Sequence, residues 1–261
     1  MNLAGSLNKI CALAQRSTEK EFMDDPEFQG EDLVESFRFI KIVNTFGGGR
    51  SAVFNCIKKA LANNPEKRTL SVLDVGCGIG DMGNAITRWG RARGLEIKYY
   101  GLERSEHILR EAEKYPHDDT VKFIQGDLFD EDIPEVDLTI ISMVLHHLDD
   151  TEVISAIRHL ASRSRIALLI NELERSFFSY LICQILSLGM RNPSSRFDAL
   201  LSIRKGFTTR ELRNLTVKAG LSGSFRRGLG WRILGVIPGT GCAQTSLHCH
   251  APDRSEYLCQ Q

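Results

Sequence analysis

Residues 74–81 combine carboxylates at both ends with glycine at 76, 78 and 80. The run follows an apolar stretch, residues 70–73, that has the composition of a buried strand. Glycine lets the backbone turn sharply off a strand, approach a ligand closely and begin a helix whose N-terminal N–H groups face that ligand. These residues therefore predict a nucleotide-cofactor site.

The spacing of the loop indicates which kind of cofactor it binds. A dinucleotide site reads G-x-G-x-x-G and places a pyrophosphate on the helix N-terminus, whereas this loop reads D-x-G-x-G-x-G. The carboxylate of Asp74 would repel a pyrophosphate and attract a cationic amino group. A cofactor that carries an amino acid fits better, and an NAD-dependent oxidoreductase is the less favoured alternative.

Two further acids follow strand-like segments. Residues 97–103 end in Glu103, whose carboxylate can accept hydrogen bonds from both ribose hydroxyls and disfavours a 2′-phosphate. Residues 121–125 are followed by Asp127 and Leu128, which offer a carboxylate and a backbone N–H to an adenine ring. Together with the glycine loop, these positions predict a site for one adenosine.

Four motifs then carry a resemblance: LDVGCGIGD (73–81), YYGLERSEHIL (99–109), FIQGDLFD (123–130) and VDLTIISMVLHHL (136–148). In this order, and over about residues 68–238, the chain resembles the class I S-adenosylmethionine-dependent methyltransferases. The resemblance implies S-adenosylmethionine as cofactor and a Rossmann-like, doubly wound α/β fold with a seven-stranded sheet whose last strand is antiparallel. It implies cofactor contacts from Asp74, Gly76, Cys77, Gly78, Gly80, Glu103, Arg104, Asp127, Leu128 and Met143, the last beside the sulfonium.

Strand-like and helix-like segments alternate after the loop, which predicts a mostly parallel sheet with helices on both faces. Predicted helices cover residues 81–93, 105–115, 150–162 and 208–219, and predicted strands cover 97–103, 121–125, 136–144, 165–171, 222–229 and 231–237. Asp81 and Ser105 are candidate N-caps, Thr208 with Glu211 forms a capping box, and Gly220 ends the last helix.

Three parts of the chain lie outside this alternation. Residues 1–67 are predicted to form a helical cap, residues 172–206 a helical insertion within the domain at 68–238, and residues 239–261 a disordered tail. The resemblance places the cap and the insertion beside the methyl-transfer cleft, as lids. The insertion is apolar on more than one face, so core, the N-terminal helices, a partner subunit such as a second copy in a homodimer, or a substrate must cover it. Core or dimer contact is the commoner outcome.

Methyl transfer mainly requires a positioned acceptor, and a general base is needed only where the acceptor loses a proton. His146 and His147 follow the fourth strand and are the candidate bases; alternatively they only hydrogen-bond the loop or the cofactor. Glu172 and Arg175 follow the fifth strand and could orient a polar acceptor, or lie on a solvated surface.

A looser resemblance concerns segments 22–26, 171–176 and 201–207, which are similar to a subgroup of these enzymes associated with type III polyketide synthases. It implies an aromatic or lipophilic acceptor, polyketide- or quinone-like, methylated on oxygen, and adds Arg204 as a substrate contact. The subgroup more typically has Asp and His where Glu172 and Glu174 stand. Carbon or nitrogen acceptors, and a non-catalytic cofactor-binding subunit of a biosynthetic complex, remain alternatives.

Composition excludes several classes of function. Lysine plus arginine equals aspartate plus glutamate at 33 each, and the strand-end signatures of nucleic-acid methyltransferases are missing, so a small-molecule substrate is favoured over nucleic acid. Seven cysteines, an odd number, fit a reduced cytoplasm. Residues 176–190 are too short to span a bilayer, which takes about 20 residues. No metal is predicted: the tail residues Cys242, His248, Cys249, His250 and Cys259 lack paired spacing.

Overall fold

A computed structural model describes residues 13–25, 27–28, 30–46, 48–62, 64–228 and 232–240. Cys11 and the cysteines and histidines of the C-terminal tail lie outside the described residues, as does nearly all of the predicted tail itself.

One seven-stranded sheet organises the molecule, in the order β3-β2-β1-β4-β5-β7-β6. All neighbouring strands are parallel except at the two pairs that involve β7. The predicted fold class, including the antiparallel last strand, is confirmed. The strands are β1 (Thr69–Val75), β2 (Glu96–Glu103), β3 (Val121–Gln125), β4 (Val136–Ser142), β5 (Ser164–Leu173), β6 (Ser224–Gly228) and β7 (Arg232–Pro238).

Eight α-helices occur within the described residues. They are α1 (Glu31–Phe46), α2 (Gly49–Ala62), α3 (Asp81–Arg91), α4 (Glu106–Ala112), α5 (Asp150–Ser162), α6 (Phe177–Leu186), α7 (Pro193–Lys205) and α8 (Thr209–Lys218). Short 3-10 turns cover Phe22–Asp24, Leu145–His147 and Ser187–Gly189. None of the described helices is long and apolar enough to cross a membrane.

Apolar side chains cover both faces of the sheet. On one face, Val53 and Ile57 of α2 and Ile86 of α3 pack on β1, β2 and β4. On the other, α5 and α8 pack with Phe207 against β4, β5 and β7. Burial on both faces explains why the strands read as nearly continuous apolar runs in the sequence.

Two of the predicted helix caps are present in the structure, and two candidate N-caps do not cap their helices. Thr208 and Glu211 form the predicted capping box, and Gly220, with φ of 77°, follows the end of α8. Asp81, in contrast, is not the N-cap of α3: Gly80 occupies that position, and Asp81 pairs with Arg50 on α2 instead. Ser105 is the N-cap of α4, but its hydroxyl contacts His107 and leaves the helix N–H groups uncapped.

The elements outside the alternating sheet join one another above its carboxyl edge. The hydroxyls of Ser36 on α1 and Ser195 on α7 hydrogen-bond at 2.8 Å in a buried position. Glu35 accepts hydrogen bonds from the backbone N–H groups of Arg191 and Asn192, just before α7. Helices α1, α6 and α7, with the 3-10 turn at Phe22–Asp24, therefore form a connected roof.

Candidate active site

The carboxyl ends of β1, β2 and β3 lie side by side, since Val75 pairs with Leu102 and Glu103 pairs with Gln125. Asp74, Glu103 and Asp127 line a single cavity of ≈ 1530 Å³ between this edge and the roof. A typical small-ligand pocket measures about 300–1,000 Å³. The cavity thus has room for two ligands side by side, and the three acids share one part of it.

Asp74 is buried and accepts a hydrogen bond from the hydroxyl of Tyr99. Burial raises the pKa of this carboxyl to about 7, and the charges of Asp81 and Glu103 act in the same direction, whereas the Tyr99 hydrogen bond lowers the pKa. Among the residues that the structure describes, none forms an ion pair with this carboxyl group. An ammonium group in the cavity would form one and favour the ionised form.

Glu103 is fixed by two backbone donors and faces the cavity. Its Oε2 accepts a hydrogen bond from Gly78 N at 3.2 Å, and its Oε1 accepts one from Ser105 N at 3.1 Å. A carboxylate offers about four lone-pair sites, so roughly two remain for a ligand such as a pair of vicinal hydroxyls.

The loop glycines have different roles. Gly76, Gly78 and Gly80 all have positive φ, between 55° and 70°. Gly76 and Gly78 line the cavity. Gly80 is not among the described residues that line it; a Cβ there would collide with the ring of Phe123. The structure therefore gives Gly80 a packing role, because the helix start must approach the neighbouring strand.

Cys77 lines the cavity, but its thiol is not activated as a nucleophile. Its thiol contacts the carbonyl of Gly78 at 3.7 Å, and burial together with the nearby charge of Asp74 raises the pKa of the thiol well above its usual value. Since only a thiolate is a good nucleophile, the small volume of cysteine explains its presence here.

The remaining cofactor candidates also lie on the cavity wall. Arg104, Asp127 and Leu128 line it. Asp127 is held by its own turn, since its Oδ1 accepts a hydrogen bond from Phe129 N at 3.0 Å. Met143, just after β4, has φ of 58° and lines the cavity as well. A non-glycine residue in this region costs on the order of 1–3 kcal/mol, and such residues concentrate at functional sites.

His146 and His147 enter the cavity next to Met143 on a 3-10 turn. The His146 Nδ1 lies 2.9 Å from Oε2 of Glu172, and the His147 Nδ1 lies 3.1 Å from Oδ2 of Asp24. Burial lowers the pKa of His147, but the hydrogen bond to Asp24 and the charge of Glu21 outweigh it, so this pKa lies above its usual value. Each imidazole is thus oriented by its own carboxylate.

The part of the cavity under the roof is mostly apolar. Leu173, Cys183 and Ile203 form a buried cluster here, with Met143 and Phe39 packed against it. Met143, expected beside the sulfonium, therefore packs directly against apolar side chains under the roof. Further lining residues of this kind are Ile42, Val43, Ile182, Leu186, Met190 and Ala199.

The three predicted substrate contacts are not among the described residues that line the cavity. Glu172 is fully buried behind His146 and also accepts hydrogen bonds from the backbone at Leu145 and Leu173. Arg175 forms two hydrogen bonds with the carboxylate of Glu211. Arg204 pairs with Glu19. Each of these charges is paired with another protein group outside the cavity, so we assign them positioning roles and not acceptor contacts.

Sequence reasoning missed four residues that the fold brings to the site. Tyr99 holds Asp74; its place on the strand after the loop was the available signal. Glu21 and Asp24 come from the N-terminal segment, and Lys205 lies at the end of α7. Lys205 Nζ is 3.3 Å from Glu21 Oε1 and 3.8 Å from Asp24 Oδ2. No local spacing links these positions, because the roof brings together distant parts of the chain.

Comparison with known proteins agrees with this geometry. Residues 72–165 match a family described as "Methyltransferase domain". No curated protein matches the chain.

Many solved structures share its fold, and three examples follow. The chain is similar to the plantazolicin methyltransferase BpumL in complex with SAH (15% identity, 90% of this chain and 98% of that one, TM-score 0.66). It is also similar to magnesium protoporphyrin IX methyltransferase from Synechocystis PCC 6803 with bound SAH (18% identity, 82% of this chain and 97% of that one, TM-score 0.54). A further example is a putative O-methyltransferase from Nostoc punctiforme PCC 73102 (16% identity, 90% of this chain and 69% of that one, TM-score 0.53).

Proposed function

We propose that this chain, which belongs to the S-adenosylmethionine-dependent methyltransferase superfamily, transfers a methyl group to a hydroxyl oxygen of a small, lipophilic or aromatic molecule. The observation that carries the proposal is one large cavity with two kinds of lining. Asp74, Glu103 and Asp127 line it at the carboxyl edge of the sheet, and apolar side chains of α1, α6 and α7 line it from the roof.

The residues at the carboxyl edge fit the cofactor. Asp74 is a buried carboxyl group with no ion pair among the described residues, which suits the ammonium of an amino-acid moiety. Glu103 has acceptor capacity left for the ribose hydroxyls, and Asp127 with Leu128 fits the adenine. When bound, S-adenosylmethionine supplies a methyl group activated by positively charged sulfur.

The protein's own contribution is to position the acceptor and to exclude water. Met143, with its strained backbone just after β4, lines the cavity next to the apolar cluster under the roof, where the reacting centre is expected. His146 and His147 present imidazoles at the same place and would hydrogen-bond the acceptor's hydroxyl group. As the new O–CH₃ bond forms, the hydroxyl proton leaves toward this polar cluster and the water beyond it.

The apolar part supports a lipophilic acceptor. Polyketide- and quinone-like molecules combine an ionisable hydroxyl with a large apolar body, which matches a polar cluster adjoining the walls built from α1, α6 and α7. The balanced composition, with 33 basic and 33 acidic residues, offers little attraction for a nucleic acid.

One experiment tests the proposal directly. The purified chain is incubated with methyl-labelled S-adenosylmethionine and metabolite extract of its host, and mass analysis identifies the molecule that gains the label. We expect an apolar hydroxylated product. Cofactor binding without labelled product, across the extract and panels of phenols and quinones, would favour a non-catalytic subunit. Binding of NAD in place of S-adenosylhomocysteine in calorimetry would refute the proposal.

A further inference from the structure

We propose that Glu21, His146 and His147 form a binding site for one divalent transition-metal cation, of the kind that prefers nitrogen and carboxylate ligands, such as Zn²⁺. The inference goes beyond methyl transfer and does not depend on the acceptor's identity.

The first argument is geometric. One ligand atom from each of Glu21, His146 and His147 lies within 4.8 Å of the others. The His146 Nε2 is 3.8 Å from Glu21 Oε1, and the His147 Nε2 is 4.0 Å from Glu21 Oε2. A zinc ion with bonds of about 2.0–2.2 Å holds its ligand atoms roughly 3.3 Å apart, so a shift of about 1 Å would complete the site.

The second argument is the direction of the lone pairs. A carboxylate only accepts hydrogen bonds, so the Nδ1 of His146, which contacts Glu172, carries the ring proton of the neutral imidazole. The Nε2 of His146 is then an acceptor and lies 3.8 Å from the carboxylate of Glu21, which is another acceptor. These two electron-rich groups face each other with no hydrogen bond between them, an arrangement that a shared cation stabilises.

The third argument is that Glu21 is unsatisfied. Its side chain is 0% exposed, and neither of its oxygens has a hydrogen-bond partner among the described residues. Lys205 Nζ lies 3.3 Å from Glu21 Oε1 and 3.4 Å from His147 Nδ1, and so offsets part of the charge. A buried carboxylate with no hydrogen bond costs free energy, which a directly bound cation would recover.

The charge balance of the surroundings agrees. Glu21, Asp24, Glu172 and Asp198 lie in or next to the cluster, facing Lys205 and Arg232. Four carboxylates therefore face two basic side chains, and one divalent cation would balance this difference of two charges.

The surrounding hydrogen bonds have the form that metal sites require. Metal-binding histidines usually donate their second ring N–H to a carboxylate, which fixes the ring and makes it a better ligand. Glu172 does this for His146 and Asp24 for His147. Two histidines and one glutamate, with open positions toward a cavity, are the ligand set of catalytic zinc and of some iron sites.

A cation there would act on the proposed reaction. It would lower the pKa of an acceptor hydroxyl bound to it, and the proton would leave to solvent water. In that state both histidines act as ligands and not as bases.

The test is to add Co²⁺ to the full chain, without an affinity tag and stripped of metal. Calorimetry measures the binding, and the visible absorption of Co²⁺ reports whether its ligands include nitrogen. We expect one equivalent at this site. Glu21→Gln and His146→Gln should weaken it by at least about tenfold, and Glu172→Gln by about 10–100-fold. His159→Gln, on α5 and outside the cluster, is the matched control and should bind as the wild type does.

Two controls keep the outcome interpretable. Asp24→Asn changes a partly exposed side chain and should fold, so it tests the cluster even if Glu21→Gln does not. Any binding by the C-terminal cysteines and histidines would persist in every variant. Equal Co²⁺ affinity of wild type, Glu21→Gln and Asp24→Asn would overturn the inference. If S-adenosylhomocysteine still binds in that case, the proposed function survives.

Discussion

Asp74 is the residue whose protonation should control cofactor binding. Its carboxyl has a pKa of about 7 in the ligand-free protein, against about 3.9 in an unfolded chain. The folded protein therefore holds a proton that the unfolded chain releases between these values. The contribution of Asp74 to the stability of the ligand-free protein is present below about pH 4 and is lost as the pH rises through 7.

The first prediction follows from this pKa. Only ionised Asp74 attracts an ammonium group, so affinity for S-adenosylhomocysteine should rise as the pH increases through about 7, by up to about tenfold per unit below it. Calorimetry from pH 5.5 to 8.5 measures this. Asp74→Asn should bind weakly with a flat profile; the same pH dependence in wild type and variant would contradict the assignment.

Glu103 carries the second prediction. Glu103→Ala removes two charge-assisted hydrogen bonds to ribose, worth roughly 1.5–3 kcal/mol together, and should raise the dissociation constant of the cofactor by about tenfold or more. Glu113→Ala, on the exposed end of α4, is the control. Unchanged affinity of the Glu103 variant would remove the ribose assignment.

Individual residues were predictable from sequence to different extents. Asp74 and Glu103 lie at the carboxyl ends of β1 and β2, and Asp127 comes shortly after β3, so parallel pairing brings them to one edge. Arg204 was expected at the acceptor because of the looser resemblance, and Glu172 because it follows the predicted fifth strand. Their partners, Glu19 and His146, are distant in sequence, and no local pattern predicts such pairs.

At the level of elements, the junction between β1 and α3 determines how the cavity is closed. Gly76, Gly78 and Gly80 adopt left-handed backbone conformations, yet only the first two line the cavity. The third brings the start of α3 against Phe123 of β3. Tight packing under the loop keeps the ligand-facing N–H groups in place.

The third prediction separates backbone strain from packing. Gly80→Ala and Gly94→Ala both place a side chain at positive φ, which costs about 1–2 kcal/mol. A Cβ at 94 meets nothing within 4 Å, whereas one at 80 meets the Phe123 ring. Overpacking costs a further 1–3 kcal/mol or so, so Gly80→Ala should lose more free energy of unfolding in urea denaturation. Equal losses would show that packing beneath the loop is unimportant.

Element boundaries were predicted where the local chemistry is strong. Residues 121–125 and 150–162 have the predicted limits, the latter fixed by the capping box at Asp149 and Glu152. Helix α3 begins at Asp81, as predicted, but the N-cap position expected for this aspartate is occupied by Gly80. Asp81 forms an ion pair with Arg50, a partner that the sequence alone does not reveal.

At the scale of the whole molecule, the roof supplies most of the apolar lining of the cavity. Helices α1, α6 and α7 line the apolar part of the cavity, and α6 also exposes Phe178 and Ile185. The sequence predicted an apolar insertion near the cleft but left its cover undecided. The structure shows that the same insertion both lines the cavity and presents an apolar outer surface.

The fourth prediction concerns acceptor size. Ile182→Trp adds volume inside the apolar part of the cavity, so KM for bulky acceptors should rise by about tenfold or more, the scale of losing one well-packed apolar contact. Cofactor affinity should not change. Val217→Trp, on the exposed face of α8, is the matched control. Steady-state kinetics with short and long acceptors measures the difference, and a change in cofactor affinity alone would contradict the division of the cavity.

The N-terminal end of the described chain is joined to residues next to or within the roof that are distant in sequence. Arg16 donates to the carbonyl of Lys205 across 189 positions, and Arg175 donates to the carbonyl of Leu13 across 162. Closing such long loops is entropically costly and slow. The roof over the cavity should consequently assemble late during folding, after the sheet. In hydrogen exchange, the backbone amide protons of the roof should exchange with solvent through local opening that leaves the strands intact.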